Sequence, residues 1–143
     1  MWPTRYALQV LPSPNFPEAL KRASQICVDR AEAAIASDPT NTGAFAKGSH
    51  ALAALGLHDR ARDWIKRASL LDPESATVPY NLACTLLCEL GDEDAALDMM
   101  EKSFARTSKA MFRHSLVDPD LDPLRDNPRF KAMEAAAWER LGL

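Results

Sequence analysis

The sequence predicts an all-α chain of stacked helix pairs, and three observations carry that expectation. One stretch superposes on another when slid by 35 residues: Phe45, Leu52, Gly56, Ala61, Ile65 and Ala68 fall on Tyr80, Leu87, Gly91, Ala96, Met100 and Ser103. Four of these pairs keep size and character, while Ile65 with Met100 and Ala68 with Ser103 are looser. A period in this range marks one supersecondary unit copied and stacked, because a single unit cannot bury its own apolar face. Ala and Leu dominate the apolar residues and Val and Ile are scarce, which favours helices over strands. Asp38-Pro39 and Asp72-Pro73, 34 residues apart, each close a helical pattern.

The elements follow in chain order. Residues 1–16, with Pro3, Pro12, Pro14 and Asn15, show no helical period and read as an extended leader. From Pro17, apolar residues recur three or four apart through Leu20, Ala23, Ile26 or Cys27, Ala31, Ala34 and Ile35, giving a long amphipathic helix that Asp38-Pro39 stops. A helix from about Thr42 to Leu55 ends at Gly56, and another runs from Asp59, a candidate N-cap, to Leu71. The second copy spans about Ser75 to Leu90, with Gly91 as terminator, then Asp92 or Glu93 to about Phe104. Met111, Phe112, Leu116 and Val117 mark a short helix, Asp118-Pro119-Asp120 breaks it, and Leu121 to Asp126 makes a single turn. Asn127-Pro128 then caps a last helix to about Leu141, whose stripe is Phe130, Met133, Ala137 and Leu141. The sum is seven helices, one of them short, in one domain over 17–143: a half repeat at 17–38, repeats at 42–74 and 76–106, and a capping segment at 107–143.

Composition bounds the function classes. The 143 residues are 47% apolar and 26% charged, with a net charge of −3. That length fits one continuous core. The basic residues form no concentrated stripe, which argues against nucleic acid as a partner. No apolar run approaches a membrane span, and the N-terminus lacks the basic and apolar segments of a secretory signal, so a cytoplasmic protein is expected. Three cysteines, an odd number inside helical patterns, read as reduced thiols.

The repeated residues resemble a tetratricopeptide repeat. That pattern runs aromatic, small pair, bulky residue, Gly in the turn, Ala-x3-bulky, then Pro. The first copy offers Phe45, Gly48-Ser49, Leu52, Gly56, Ala61-x3-Ile65, Ala68 and Pro73; the second offers Tyr80, Ala83-Cys84, Leu87, Gly91 and Ala96-x3-Met100. The second copy lacks the closing Pro, having Ser108 there, and it also aligns through Pro79-Tyr80-Asn81-Leu82-Ala83 with one extra residue before Gly91. Both registers stand at this level. With the later run Asp118-Pro119-Asp120-Leu121-Asp122-Pro123-Leu124-Arg125-Asp126-Asn127-Pro128-Arg129-Phe130, the chain over roughly residues 18–134 is similar to arms that follow catalytic or DNA-binding domains in bacterial signalling proteins. Such proteins include class III adenylate/guanylate cyclases, kinases and transcription regulators, and none of a cyclase's metal- or purine-binding residues is recognisable here. The resemblance implies a superhelix of helix pairs whose concave groove is lined by Lys47, His50, Ala54, Asn81, Thr85 and Glu89. Asn81 stands where that family holds a peptide backbone.

Residues that invite a chemical role have structural alternatives. Cys84 and Cys88 share a helical face, but zinc needs four convergent ligands and no histidine is suitably spaced, so they read, like Cys27, as small seam residues. His50, His58 and His114 lack catalytic partners at a recognisable spacing. Asp118, Asp120 and Asp122 imitate a calcium loop, yet its sixth residue is Pro123 and its twelfth Arg129, where Gly and Glu are required. They suit Asp-Pro turns paired to Arg125 or Arg129, with Leu121, Leu124 and Phe130 covering the end of the stack. Trp64 and Trp138 are half-buried packing residues or partner anchors. The expectation is a non-catalytic protein–protein interaction module without cofactor or metal, binding a peptide or neighbouring domain. The alternative is a structural, regulatory or self-associating arm of a larger signalling enzyme, including a homodimer.

Overall fold

The structure, a computed structural model, describes residues 16–143; the expected extended leader at 1–16 lies outside them but for Phe16, which is helical. The described chain is helical throughout, with no strand: α1 (Phe16–Ser37), α2 (Thr42–Ala54), α3 (His58–Leu71), α4 (Thr77–Cys88), α5 (Glu93–Arg106), α6 (Lys109–Ser115), a 3-10 segment (Pro119–Leu124) and α7 (Pro128–Leu141). The helices α2 with α3 and α4 with α5 form two hairpins, α1 packs on α2, and α2 lies beside α4. Exposed ion pairs run across the longer helices: Glu32–Arg60 joins α1 to α3 at 2.6 Å, and Arg129 of α7 meets Asp98 and Glu101 of α5 at 2.8 and 2.7 Å. The α1–α3–α5–α7 helices therefore form one layer and α2–α4–3-10 the other. Half-exposed pairs of this kind are each worth about 0–1 kcal/mol, so they set register more than stability.

The first hairpin is closed by its smallest residue. A Cβ added at Gly48 would stand 2.1 Å from Trp64 Cζ3, 2.6 Å from Cε3 and 3.0 Å from the Ala31 Cβ. The Trp64 ring fills that space and meets Phe45 edge-on at 5.5 Å. Expected as half-buried, Trp64 is 9% exposed; Trp138, at 46%, stays on the surface. The chain turns at Gly56, whose φ of +77° suits glycine. There Leu57 N–H bonds to Leu52 O and Gly56 N–H to Ala53 O, the paired bonds of a Schellman turn. That turn feeds α3 directly at His58, so Asp59 sits in the first turn and is not the N-cap the sequence suggested. Its carboxylate still complements the helix dipole there.

Burial decides the register of the second copy. In α2, Phe45, Ala46, Gly48, Ser49, Ala51 and Leu52 are buried while Lys47 is exposed. The same sequence of states recurs in α4 at Pro79, Tyr80, Leu82, Ala83, Thr85 and Leu86, with Asn81 exposed. The shift over these helices is thus 34, pairing Leu52 with Leu86 and Phe45 with Pro79, in place of Leu87 and Tyr80. One extra residue enters before Gly91 (φ +63°), where Asp92 N–H reaches back to Leu86 O, and the shift becomes 35. Ala61 and Ala96, Ile65 and Met100, and Ala68 and Ser103 then fall together, all buried. The Ser103 hydroxyl donates to Ala76 O at 2.8 Å, which accounts for a polar residue at a buried position.

Caps set the remaining boundaries. Asn41 accepts from Ala44 N–H at 2.9 Å, Ser75 from Val78 N–H at 3.1 Å, and Asp92 from Ala95 N–H at 3.1 Å. Ser108, standing where a closing Pro was absent, caps α6 through Met111 N–H at 3.3 Å. Asn127 accepts from Arg129 and Phe130 N–H groups and donates to Glu93 Oε1 at 2.8 Å, locking α7 onto α5. Leu121, Leu124 and Phe130 are fully buried and close this end of the stack. The aspartate turn is organised by Arg125, which donates to Ser115 O, Asp118 O and Asp122 Oδ1 at 2.9, 3.0 and 3.3 Å. Arg129 is not part of that turn, because α7 carries it outward to Asp98 and Glu101.

Gly48→Ala is expected to destabilise the fold by about 1–2 kcal/mol, overpacking against Trp64 outweighing a helix-propensity gain of about 1 kcal/mol; urea unfolding measures it, and adding Trp64→Leu should recover part of the loss. A second expectation concerns acid. The Asp92 carboxyl is held below its usual range by a hydrogen bond from Arg62 and another from Ala95 N–H. A depressed carboxyl contributes stability above its unfolded value and loses it as pH falls through the folded one. The stability gap between wild type and Asp92→Asn should therefore shrink progressively below about pH 4 and stay constant between pH 5 and 7, as read from denaturation midpoints across pH.

Candidate functional site

A cleft of about 690 Å³ opens between α1 and α2. Its floor is apolar and small: Leu20, Ala23, Ala31, Ala34, Ala44 and Ala51. Arg30 and Lys47, both exposed, give its rim positive charge, His50 stands half-buried beside them, and no Asp or Glu lines it. Cys27 sits in the wall, its thiol donating to Lys47 O at 3.8 Å. Burial pushes that thiol's pKa up, and the nearby charges of Lys47 and Arg30 pull it partly back.

Of the six residues expected to line one groove, the structure brings Lys47 and His50 together in this cleft. Asn81 is exposed on α4, at the position equivalent to Lys47, but lies outside the cleft. Thr85 is corrected outright: it is 2% exposed, and its hydroxyl bonds back to Asn81 O at 3.2 Å, so no ligand reaches it. The 34-residue register explains why, since Thr85 corresponds to buried Ala51. Ala54 and Glu89 are half-buried at the C-terminal ends of α2 and α4, away from the cleft. Sequence reasoning missed α1 as a wall. The signal was present in Cys27 and Arg30, which recur on the helical face of Ala23 and Ala34.

The face of α4 has a different neighbour. The Tyr80 hydroxyl donates to Asp118 Oδ2 at 2.5 Å, and the Cys88 thiol approaches Asp120 O at 3.6 Å. The C-terminal turn thus covers the side of α4 where Cys84, the counterpart of His50, resides. Burial, reinforced by the charges of Asp118 and Asp120, pushes the Cys84 thiol far up and Tyr80 likewise. His114 lies 3.4 Å from Asp118 as part of the same cluster. Among the described residues no group of three His, Cys, Asp or Glu side chains is placed to hold a metal, and no helix is long and apolar enough to cross a membrane.

Comparison of the chain with protein-family models, with curated proteins and with solved structures found no match.

Thiol reactivity reports the difference between the two faces. With iodoacetamide at pH 8 and mass-spectrometric mapping, Cys27 should alkylate at least about tenfold faster than Cys84, whose thiolate fraction is suppressed by deeper burial. Equal rates would place α4's covered face in contact with solvent.

Proposed function

We propose that this chain is a non-catalytic protein–protein interaction module of the tetratricopeptide type, which captures a peptide or partner domain on the α1–α2 side of its stacked helix pairs. The single observation that carries the proposal is the recurrence of one burial pattern at 34 residues over α2 and α4, leaving Lys47 and Asn81 exposed at equivalent positions. A repeated exposed polar position on consecutive helices offers a partner regularly spaced contacts. The apolar cleft beside Lys47 and His50 supplies buried area next to them, the combination on which peptide recognition depends.

A second reading, a self-associating or regulatory arm of a larger signalling protein, is favoured by apolar side chains left on the surface. Leu70 is 70% exposed, Val117 77% and Trp138 46%. One experiment addresses both. The full chain, wild type or His50→Ala/Asn81→Ala, is used to capture partners from its native host, with light scattering on the purified protein. The double variant should lose the partner while its stability stays within about 0.5 kcal/mol, as for surface substitutions generally. Capture that survives would remove the groove assignment, and a concentration-independent dimer would favour self-association.

A further inference from the structure

Helix α1 precedes α2 as α3 precedes α4, but it packs on its successor far more extensively than α3 does. Asp38-Pro39 and Asp72-Pro73 fix a 34-residue shift between α1 and α3, which places Cys27, Arg30, Ala31 and Ala34 on Ala61, Trp64, Ile65 and Ala68. In α3 all four positions are buried, at 0, 9, 5 and 0% exposure, because α3 has α2 as its hairpin partner. In α1 only Ala31 is buried; Cys27 and Ala34 are half-buried and Arg30 is exposed. Together with Leu20, Ala23 and Ile26, itself 51% exposed, these residues form the α1 side of the cleft. This face is built like the seam of a hairpin, and Arg30 stands where the other hairpin has its Trp.

We propose that the cleft receives an α-helix of a partner protein, one with small and apolar residues on its inner face and a carboxylate opposite Arg30. The proposal rests on the interaction-module reading and gives it a ligand chemistry. Charge decides the occupant. The cleft carries Arg30 and Lys47 and no acidic side chain, and none of the ion pairs among the described residues involves Arg30. The chain's own residues 1–15 contain one charged side chain, Arg5, which brings a like charge and no carboxylate. A second copy docking by two-fold symmetry would set the same basic patch against itself. An acidic helix satisfies both the apolar wall and the arginine, whose planar fork suits a carboxylate. Opposite Trp64, the hairpin partner presents Gly48 and Phe45, so the incoming residue facing Arg30 corresponds to Gly48.

That correspondence defines the probe: a fluorescein-labelled peptide with the sequence of Thr42–Ala54 carrying Gly48→Glu, side-chain stapled on its outer face to hold the helix, beside a Gly48→Lys version. Each is titrated into the full 143-residue chain, with anisotropy and Cys27 alkylation as readouts. The Glu peptide should bind at least about tenfold more tightly than the Lys peptide and protect Cys27, and Arg30→Glu should reverse the preference. Arg30 is exposed, so that variant is expected to fold. The proposal is overturned if the two peptides bind alike, if neither binds, or if Cys27 remains unprotected. It is equally overturned if Cys27 is already protected without peptide, independently of concentration (residues 1–15 in the cleft) or increasingly with it (a second copy). Peptide failure beside a partner captured through His50 and Asn81 would sink the helix chemistry alone. Loss of both would sink the module.

Discussion

The stack depends on how closely α2 and α3 approach at Gly48. The Trp64 ring occupies the volume a side chain there would need, and Phe45 and Ala31 close around it. Interiors are packed at crystal-like density, so such a contact admits few alternatives. It also joins three helices, since Ala31 belongs to α1, the Gly and Phe to α2 and the Trp to α3. The second hairpin reaches the same geometry with different volumes. Leu82 and Ala83 replace Gly48 and Ser49, and the residue of α5 aligned with Trp64 is Met99, packed against the core. Large and small have exchanged sides of the seam, while the helix pairing is retained.

That exchange has a counterpart in the turn. The α2–α3 connection is tight, Leu57 N–H reaching Leu52 O five residues back, whereas Asp92 N–H reaches Leu86 O six residues back. One added residue is absorbed at the end of α4 without displacing either helix, because a positive-φ glycine follows it in both copies. Asp92 fixes the wider turn from outside, capping α5 through Ala95 N–H and accepting from Arg62 of the preceding hairpin at 2.6 Å. The turn that deviates is thus the one tied to its neighbour by a charged hydrogen bond.

Helix number, order and most boundaries were legible because each rests on local chemistry: Asp-Pro stops, glycines in the turns, and Asn127-Pro128 opening α7. The place of Leu121, Leu124 and Phe130 was legible too, since large apolar residues after the last repeat have only the stack's end to cover. What the sequence hid was tertiary. A shift of one residue within α4 rotates its faces by about 100°, so matching Leu87 to Leu52 turned Thr85 outward when it is buried. Arg129 looked like a partner for the nearby aspartates, but helix direction carries it to Asp98 and Glu101 across the layer. The cleft could not be read from α2 alone, because half of it belongs to α1.

The two ends of the stack are finished in opposite ways. At the C-terminal end Leu121, Leu124 and Phe130 fill the last seam, and Arg125 satisfies the carbonyls of the turn that carries two of them. Solenoid ends need such a closure, because the terminal unit otherwise exposes the surface that stacking would bury. At the other end, α1 keeps the small-residue spacing of a buried seam through Cys27, Ala31 and Ala34, but its central large position holds an arginine. A seam meant to stay in water has no need of that spacing, and a seam meant for an apolar neighbour within the same chain has no use for a guanidinium that must be desolvated unpaired. Small residues that permit close approach, set around one cation on a helix, suit the acidic helix proposed for this cleft. On the docking proposal above, this contrast between a filled end and an arginine-bearing one is what favours α1 as the docking side.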